Sequence, residues 1–116
     1  MTHTNETMRQ RLAEAMGWTD MIPIGGGEMW GCGPLGHYCR VPDPLESDRD
    51  AALLRAWCVE QWFVVEMYEI AGRCQVCIGP GHHDWWSTVY HDEEPDFLRR
   101  ERLALCRAVL VALEVE

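Results

Sequence analysis

The sequence predicts an α+β domain, a small and mainly antiparallel sheet with about three helices packed on it. Two observations carry that expectation. Apolar residues recur at helical spacing near the start, in the middle and at the end of the chain, and the segments between are β-branched, aromatic and bounded by Gly-rich turns. At 116 residues, with 47% hydrophobic and 25% charged side chains, the chain is the size of one ordinary soluble domain.

The elements follow in order. Thr4 or Asn5 caps a first helix in which Met8, Leu12, Ala15 and Met16 share a face, and Gly17 supplies a left-handed stop. From Trp18 to Pro44 the pattern loosens. Gly25, Gly26, Gly27, Gly31, Gly33 and Gly36 make the stretch of about 23–44 a Gly-rich loop, with short strands expected at Met29–Cys32 and Tyr38–Val41. Ser47 followed by Asp50 resembles a capping box and opens a second helix, Asp48–Trp62, with Ala51, Leu54 and Cys58 on its buried side. Phe63–Ile70 is a strand, Ala71-Gly72-Arg73 a turn and Cys74–Ile78 its hairpin partner; Gly79-Pro80-Gly81 ends that arm, and Trp85–Tyr90 is again extended. The last helix is expected to begin near Glu94, with Pro95 in its first turn and a buried stripe of Leu103, Cys106, Leu110 and Leu113. No repeat or second domain is visible, so residues 1–116 read as one unit.

Charge narrows the partners. The net charge is −9, and the ten basic residues are all arginine. Such a surface is poorly suited to duplex nucleic acid, whose affinity comes from cations that release phosphate counterions, and the lack of lysine removes Schiff-base chemistry. It leaves a protein partner, or a small anion held by a few arginines. No apolar run is long enough for a membrane span, and MTHTNETMRQ lacks a signal-peptide layout, so the expected location is the cytoplasm with no membrane partner. In that reducing compartment the six cysteines read as small buried hydrophobes rather than a disulfide framework.

Four stretches, LAEAMGW (12–18), VPDPLESDRDAALLRAW (41–57), the strand FVVEMYE (63–69) and LALCRAVLVALE (103–114), resemble the small phage proteins grouped as the phage ABA sandwich domain. The resemblance implies a three-layer α/β/α sandwich and a phage or prophage origin. It carries over no catalytic residue.

The segment CQVCIGPGHHDWW (74–86) concentrates reactive side chains. A zinc site would use Cys74, Cys77, His82 and His83, or draw on Cys32, His37 and Cys39. On a strand, however, residues three apart point to opposite faces, so Cys74 and Cys77 read as hairpin residues and no metal or other cofactor is expected. Cysteine and carboxylate catalysis lack a recognisable arrangement, and Gly25-Gly26-Gly27 does not join a strand to a helix as a phosphate loop does. Six tryptophans remain conspicuous. Trp18, Trp57 and Trp62 suit the core, whereas Trp30, Trp85 and Trp86 lie in or beside loops, where tryptophan serves protein interfaces or stacks on bases. The candidate binding set is therefore Trp30, His37, Arg40, Arg73, His82, His83, Trp85 and Trp86. The expected function is a non-catalytic phage accessory protein that binds and inhibits a host protein, most naturally one of antiviral defence. One alternative is a sponge for a nucleotide-derived signal, with loop tryptophans on the base and Arg40 or Arg73 on phosphate; another is a small zinc module.

Overall fold

The computed structural model describes residues 5–61, 63–80 and 85–115. Its order is α1 (Asn5–Ala15), β1 (Thr19–Gly25), β2 (Glu28–Cys32), β3 (Tyr38–Arg40), α2 (Asp48–Glu60), β4 (Val64–Ile70), β5 (Arg73–Gly79), β6 (Trp85–Tyr90) and α3 (Phe97–Val115). The α+β expectation holds. The six strands form two antiparallel three-stranded sheets, β1-β2-β3 and β4-β5-β6, where a single small sheet was expected.

The split originates in the Gly-rich stretch. β2 and β3 fall where short strands were expected, but β1, TDMIPIG, carries Pro23 and lacks a buried alternation, so sequence periodicity passes over it. It exists because β2 pairs with it, from Thr19↔Cys32 to Gly25↔Glu28. The turn joining them is Gly25-Gly26-Gly27, with φ of 94°, 60° and 77°, backbone angles that side-chain-bearing residues avoid. Gly25 thus closes β1 opposite Glu28, and Gly26-Gly27 turn the chain into β2, so part of the Gly-rich stretch is a hairpin.

The helices start and stop for identifiable reasons. Gly17, at φ 98°, ends α1. Ser47 takes the N-cap of α2, its hydroxyl accepting from the Asp50 amide at 3.2 Å. Asp96 caps α3 in the same way, accepting from Arg99 N at 3.0 Å, so that helix begins two residues beyond Pro95 rather than near Glu94. The acidic residues before it are occupied by cations further along: Glu94 pairs with Arg99 at 2.9 Å and Glu93 with Arg107 at 2.6 Å. Among the described residues, no helix is long and apolar enough to cross a membrane.

The main core joins the helices to one face of the β4-β5-β6 sheet. Leu12, Leu54, Cys58, Val109 and Leu110 meet Cys74, Val76, Ile78 and Val89. A smaller core of Ala13, Met29 and Val41, edged by Trp18 and Met21, ties α1 to the β1-β2-β3 sheet. Helix α1 serves both, because Leu12 and Ala13 are about 100° apart around its axis.

One residue on that helix departs from the expected pattern. Arg9 is 5% exposed, in the middle of the α1 seam. Its Nε donates to the Pro42 carbonyl at 3.1 Å, Nη1 to Gly27 O at 3.0 Å and Nη2 to Val41 O, and Asp43 lies at 3.7 Å. The guanidinium thereby fastens α1, the β1–β2 turn and the segment entering α2, satisfying carbonyls that no ladder pairs.

Candidate functional site

The register of the second sheet sorts the candidate residues. On β5, Cys74 sits between Glu69 and Val89, Val76 between Met67 and Ser87, and Ile78 between Val65 and Trp85; this side faces the helices. The intervening residues form the other side: Arg73 between Ile70 and Tyr90, Gln75 between Tyr68 and Thr88, and Cys77 between Glu66 and Trp86. Tyr68, Ile70, Trp86 and Tyr90 are 38%, 48%, 56% and 53% exposed, so three of the four large groups there keep about half their surface in water. The result is an open, aromatic sheet face backed by a packed core. Cys77 is the buried member of the set.

That alternation corrects the paired use of Trp85 and Trp86. Neighbours on a strand point to opposite faces. Trp85 turns into the core and meets Phe63 at 5.9 Å between ring centroids; Trp86 turns outward. Cys74 and Cys77 divide in the same way, as their strand spacing requires, so they do not face a common ion. His82 and His83 lie outside the described residues, as does Trp62.

The other candidates lie on the first sheet. Trp30 and Tyr38 are 5.9 Å apart by ring centroids on β2 and β3, with Arg40 paired opposite Trp30 and His37 exposed in the connecting turn. Arg40 is not a free phosphate ligand, because it faces Glu28 at 3.1 Å and Asp50 at 3.4 Å. The expected single site is therefore divided between two sheets. Trp30, His37 and Arg40 share one, and Arg73 and Trp86 share the open face of the other.

Arg9, Arg40, Arg99, Arg100, Arg102 and Arg107 each face a carboxylate. Arg73 shares the lack of an ion pair among the described residues with the exposed Arg11, Arg49 and Arg55, and a buried Nε without an acceptor with Arg100; it alone combines the two. It stands on the open face with Ile70 and Tyr90 on either side.

Cys58, Cys74, Cys77 and Cys106 are poorly suited to nucleophilic work. Burial pushes Cys58, Cys74 and Cys106 up to about 12, with Glu69 adding to the effect at Cys74. Burial, with Glu66 nearby, also raises Cys77. A thiol held above its ordinary range remains protonated at neutral pH, whereas the thiolate is the nucleophile and the metal ligand. Among the described residues no group of three or more His, Cys, Asp or Glu is arranged to hold a metal ion.

Sequence reasoning missed Tyr68, Ile70 and Tyr90. The period-two count from Trp86 through Thr88 would have reached Tyr90, whereas Tyr68 and Ile70 join the face only through cross-strand register. It also missed a cleft of about 410 Å³ lined by Glu6, Arg9, Glu28, Asp43 and Glu46 among others. Most charges there are already matched: Arg9 with Asp43, Arg40 with Glu28, and Arg99 with Glu46 at 2.6 Å. The open face offers the less satisfied chemistry.

Comparison with protein-family models, with curated proteins and with solved structures gives no match.

Proposed function

We propose that the chain is a non-catalytic binding protein that docks a protein partner on the open face of the β4-β5-β6 sheet. The observation that carries this reading is the exposure of Ile70, Trp86 and Tyr90 together on one side of a sheet whose other side is firmly packed. Tryptophan and tyrosine on a rigid strand present large contact area with little side-chain entropy to lose, which is why such residues dominate binding hot spots. The net charge of −9 turns the same face away from single-stranded nucleic acid, where stacking rings need a cationic track for the backbone.

The class of partner follows from the phage-domain resemblance: a host protein, most naturally of antiviral defence, which binding inhibits. On this reading the protein acts in the host cytoplasm and needs no cofactor. The test uses immobilised wild-type protein and a Trp86→Ser/Tyr90→Ser double variant in host lysate. Both substitutions lie at exposed positions, so the thermal midpoint should hardly move. A protein recovered by the wild type and lost by the variant supports the proposal. Recovery of nothing, or equal recovery by both, counts against it.

A second reading, a nucleotide-derived ligand, draws on Arg73, whose guanidinium has no ion pair among the described residues and stands beside Tyr90, an arrangement that suits a phosphate next to a stacked base. Thermal shift against a panel of such nucleotides decides it, since a tight ligand must raise the midpoint. A flat panel removes this reading.

A further inference from the structure

Resting on the protein-docking reading above, we infer that the partner is an extended polypeptide segment that places a carboxylate on Arg73 and an apolar side chain about four residues away on Trp86.

The carboxylate follows from charge. Arg73 is half-buried between Ile70 and Tyr90, carries a guanidinium with no ion pair among the described residues, and keeps a buried Nε–H without an acceptor. The Nε–H is closed to solvent, so an incoming carboxylate meets the terminal nitrogens of the guanidinium, which are not among the buried atoms. The guanidinium fork matches a carboxylate in two parallel hydrogen bonds, and the flanking Ile70 and Tyr90 side chains strengthen such a pair by excluding water. A phosphate group brings up to about two negative charges to a single arginine on a chain of net charge −9, whereas a carboxylate brings one. The face's own carboxylate, Glu66, is bonded by the Tyr68 hydroxyl. A second copy would meet Arg73 with that engaged group and would bring its own −9.

The spacing follows from the strand. Arg73 is paired with Tyr90, and Trp86 lies four residues before Tyr90 on β6, roughly 13 Å at the rise of an extended chain. In an extended ligand, residues four apart point to the same side, so one segment can reach both ends of the face. Gln75 and Thr88, paired midway between them, supply side-chain hydrogen-bonding groups along the route.

The experiment selects binders from a displayed library of random linear dodecapeptides on the intact chain, with counter-selection on Trp86→Ser/Tyr90→Ser. Selected peptides should carry Asp or Glu four residues from an aromatic or aliphatic residue. Their affinity should fall roughly tenfold or more in Arg73→Gln and less in Arg73→Lys, which keeps the charge without the fork. An unchanged thermal midpoint in Arg73→Gln shows that the fold is intact; if that variant is unstable, the acidic position of the peptide is replaced by Gln instead, with the same loss expected. Peptides that need Trp86 and Tyr90 but lack an acidic position and ignore Arg73→Gln overturn this inference while leaving the docking reading in place. A library that yields no peptide dependent on Trp86 and Tyr90 overturns both. A concentration-dependent dimer by sedimentation that dissolves in Arg73→Gln assigns the face to a second copy and also overturns the inference.

Discussion

Replacing Arg9 with methionine should unfold the chain more readily than any surface change, and the size of the effect can be worked out. The substitution keeps an unbranched stem in the α1 seam but removes every donor. Gly27 O, Val41 O and Pro42 O lose their partner, and Asp43 loses its nearest cation. Hydrogen bonds to a charged group contribute about 1.5–3 kcal/mol each, which would give a large total if all three were lost outright. The neighbouring cleft admits water to part of the site, so the expected loss is nearer the ~3–5 kcal/mol seen when one member of a buried pair is removed. That is a large fraction of the ~5–15 kcal/mol that holds a domain folded. At about 4 °C per kcal/mol the thermal midpoint should fall by roughly 12–20 °C. Urea denaturation followed by circular dichroism measures the loss, with exposed Arg11→Ala on the same helix as a control that should stay within about 0.5 kcal/mol. A loss below about 1 kcal/mol for Arg9→Met would refute the argument that this arginine fastens α1 to the first sheet.

Four further outcomes are expected. Ser47→Ala removes the acceptor for Asp50 N and should destabilise by ~1 kcal/mol in the same urea assay, whereas Ser47→Asp should not. Gly31→Ala would place a Cβ 2.7 Å from Met21 Cγ and 3.0 Å from Thr19 O, so β1 must shift; a loss of ~1–3 kcal/mol is expected, and a neutral result would show that β1 yields freely. Cys58, Cys74 and Cys106, held at about 12 in the fold against 9.0 for an ordinary thiol, bind their protons more tightly when folded. Their contribution is complete below pH 9 and is lost as pH climbs toward 12, at about 1.4 kcal/mol per unit for each thiol. Urea midpoints at pH 8 and pH 10 should therefore differ sharply. Thiol labelling of the folded chain at pH 8 should reach the partly exposed Cys32 and Cys39 first.

Much of the fold was legible in sequence because local rules and tertiary packing agree. In α2 the Ser47 cap and the spacing of Ala51, Leu54 and Cys58 point to one helix with one buried side, and that is what forms. The hairpin β4–β5 and the strand Trp85–Tyr90 likewise declare themselves through β-branched and aromatic runs broken by glycine. Helix α3 was displaced at its start because three acidic residues and a proline look like a first turn, while Asp96 holds the cap and the acids reach forward to Arg99 and Arg107.

The candidate site was legible only in part, since a side chain's face depends on which strand lies beside it. Residue types and period-two counting were enough to mark Trp86 and Arg73, and to set Cys74 and Cys77 on opposite sides. Sequence alone also determined the negative charge, the arginine-only set of cations and the turn at Ala71-Gly72. Tertiary structure decided the rest. Cross-strand register put Ile70, Arg73 and Tyr90 in one row, carried Trp85 into the core and placed Trp30 with Arg40 on a separate sheet. It also buried Arg9 among backbone carbonyls from segments 18 to 33 residues away. These are contacts between residues distant in the chain, made by chain closure and pairing rather than by local spacing, and no periodicity encodes them.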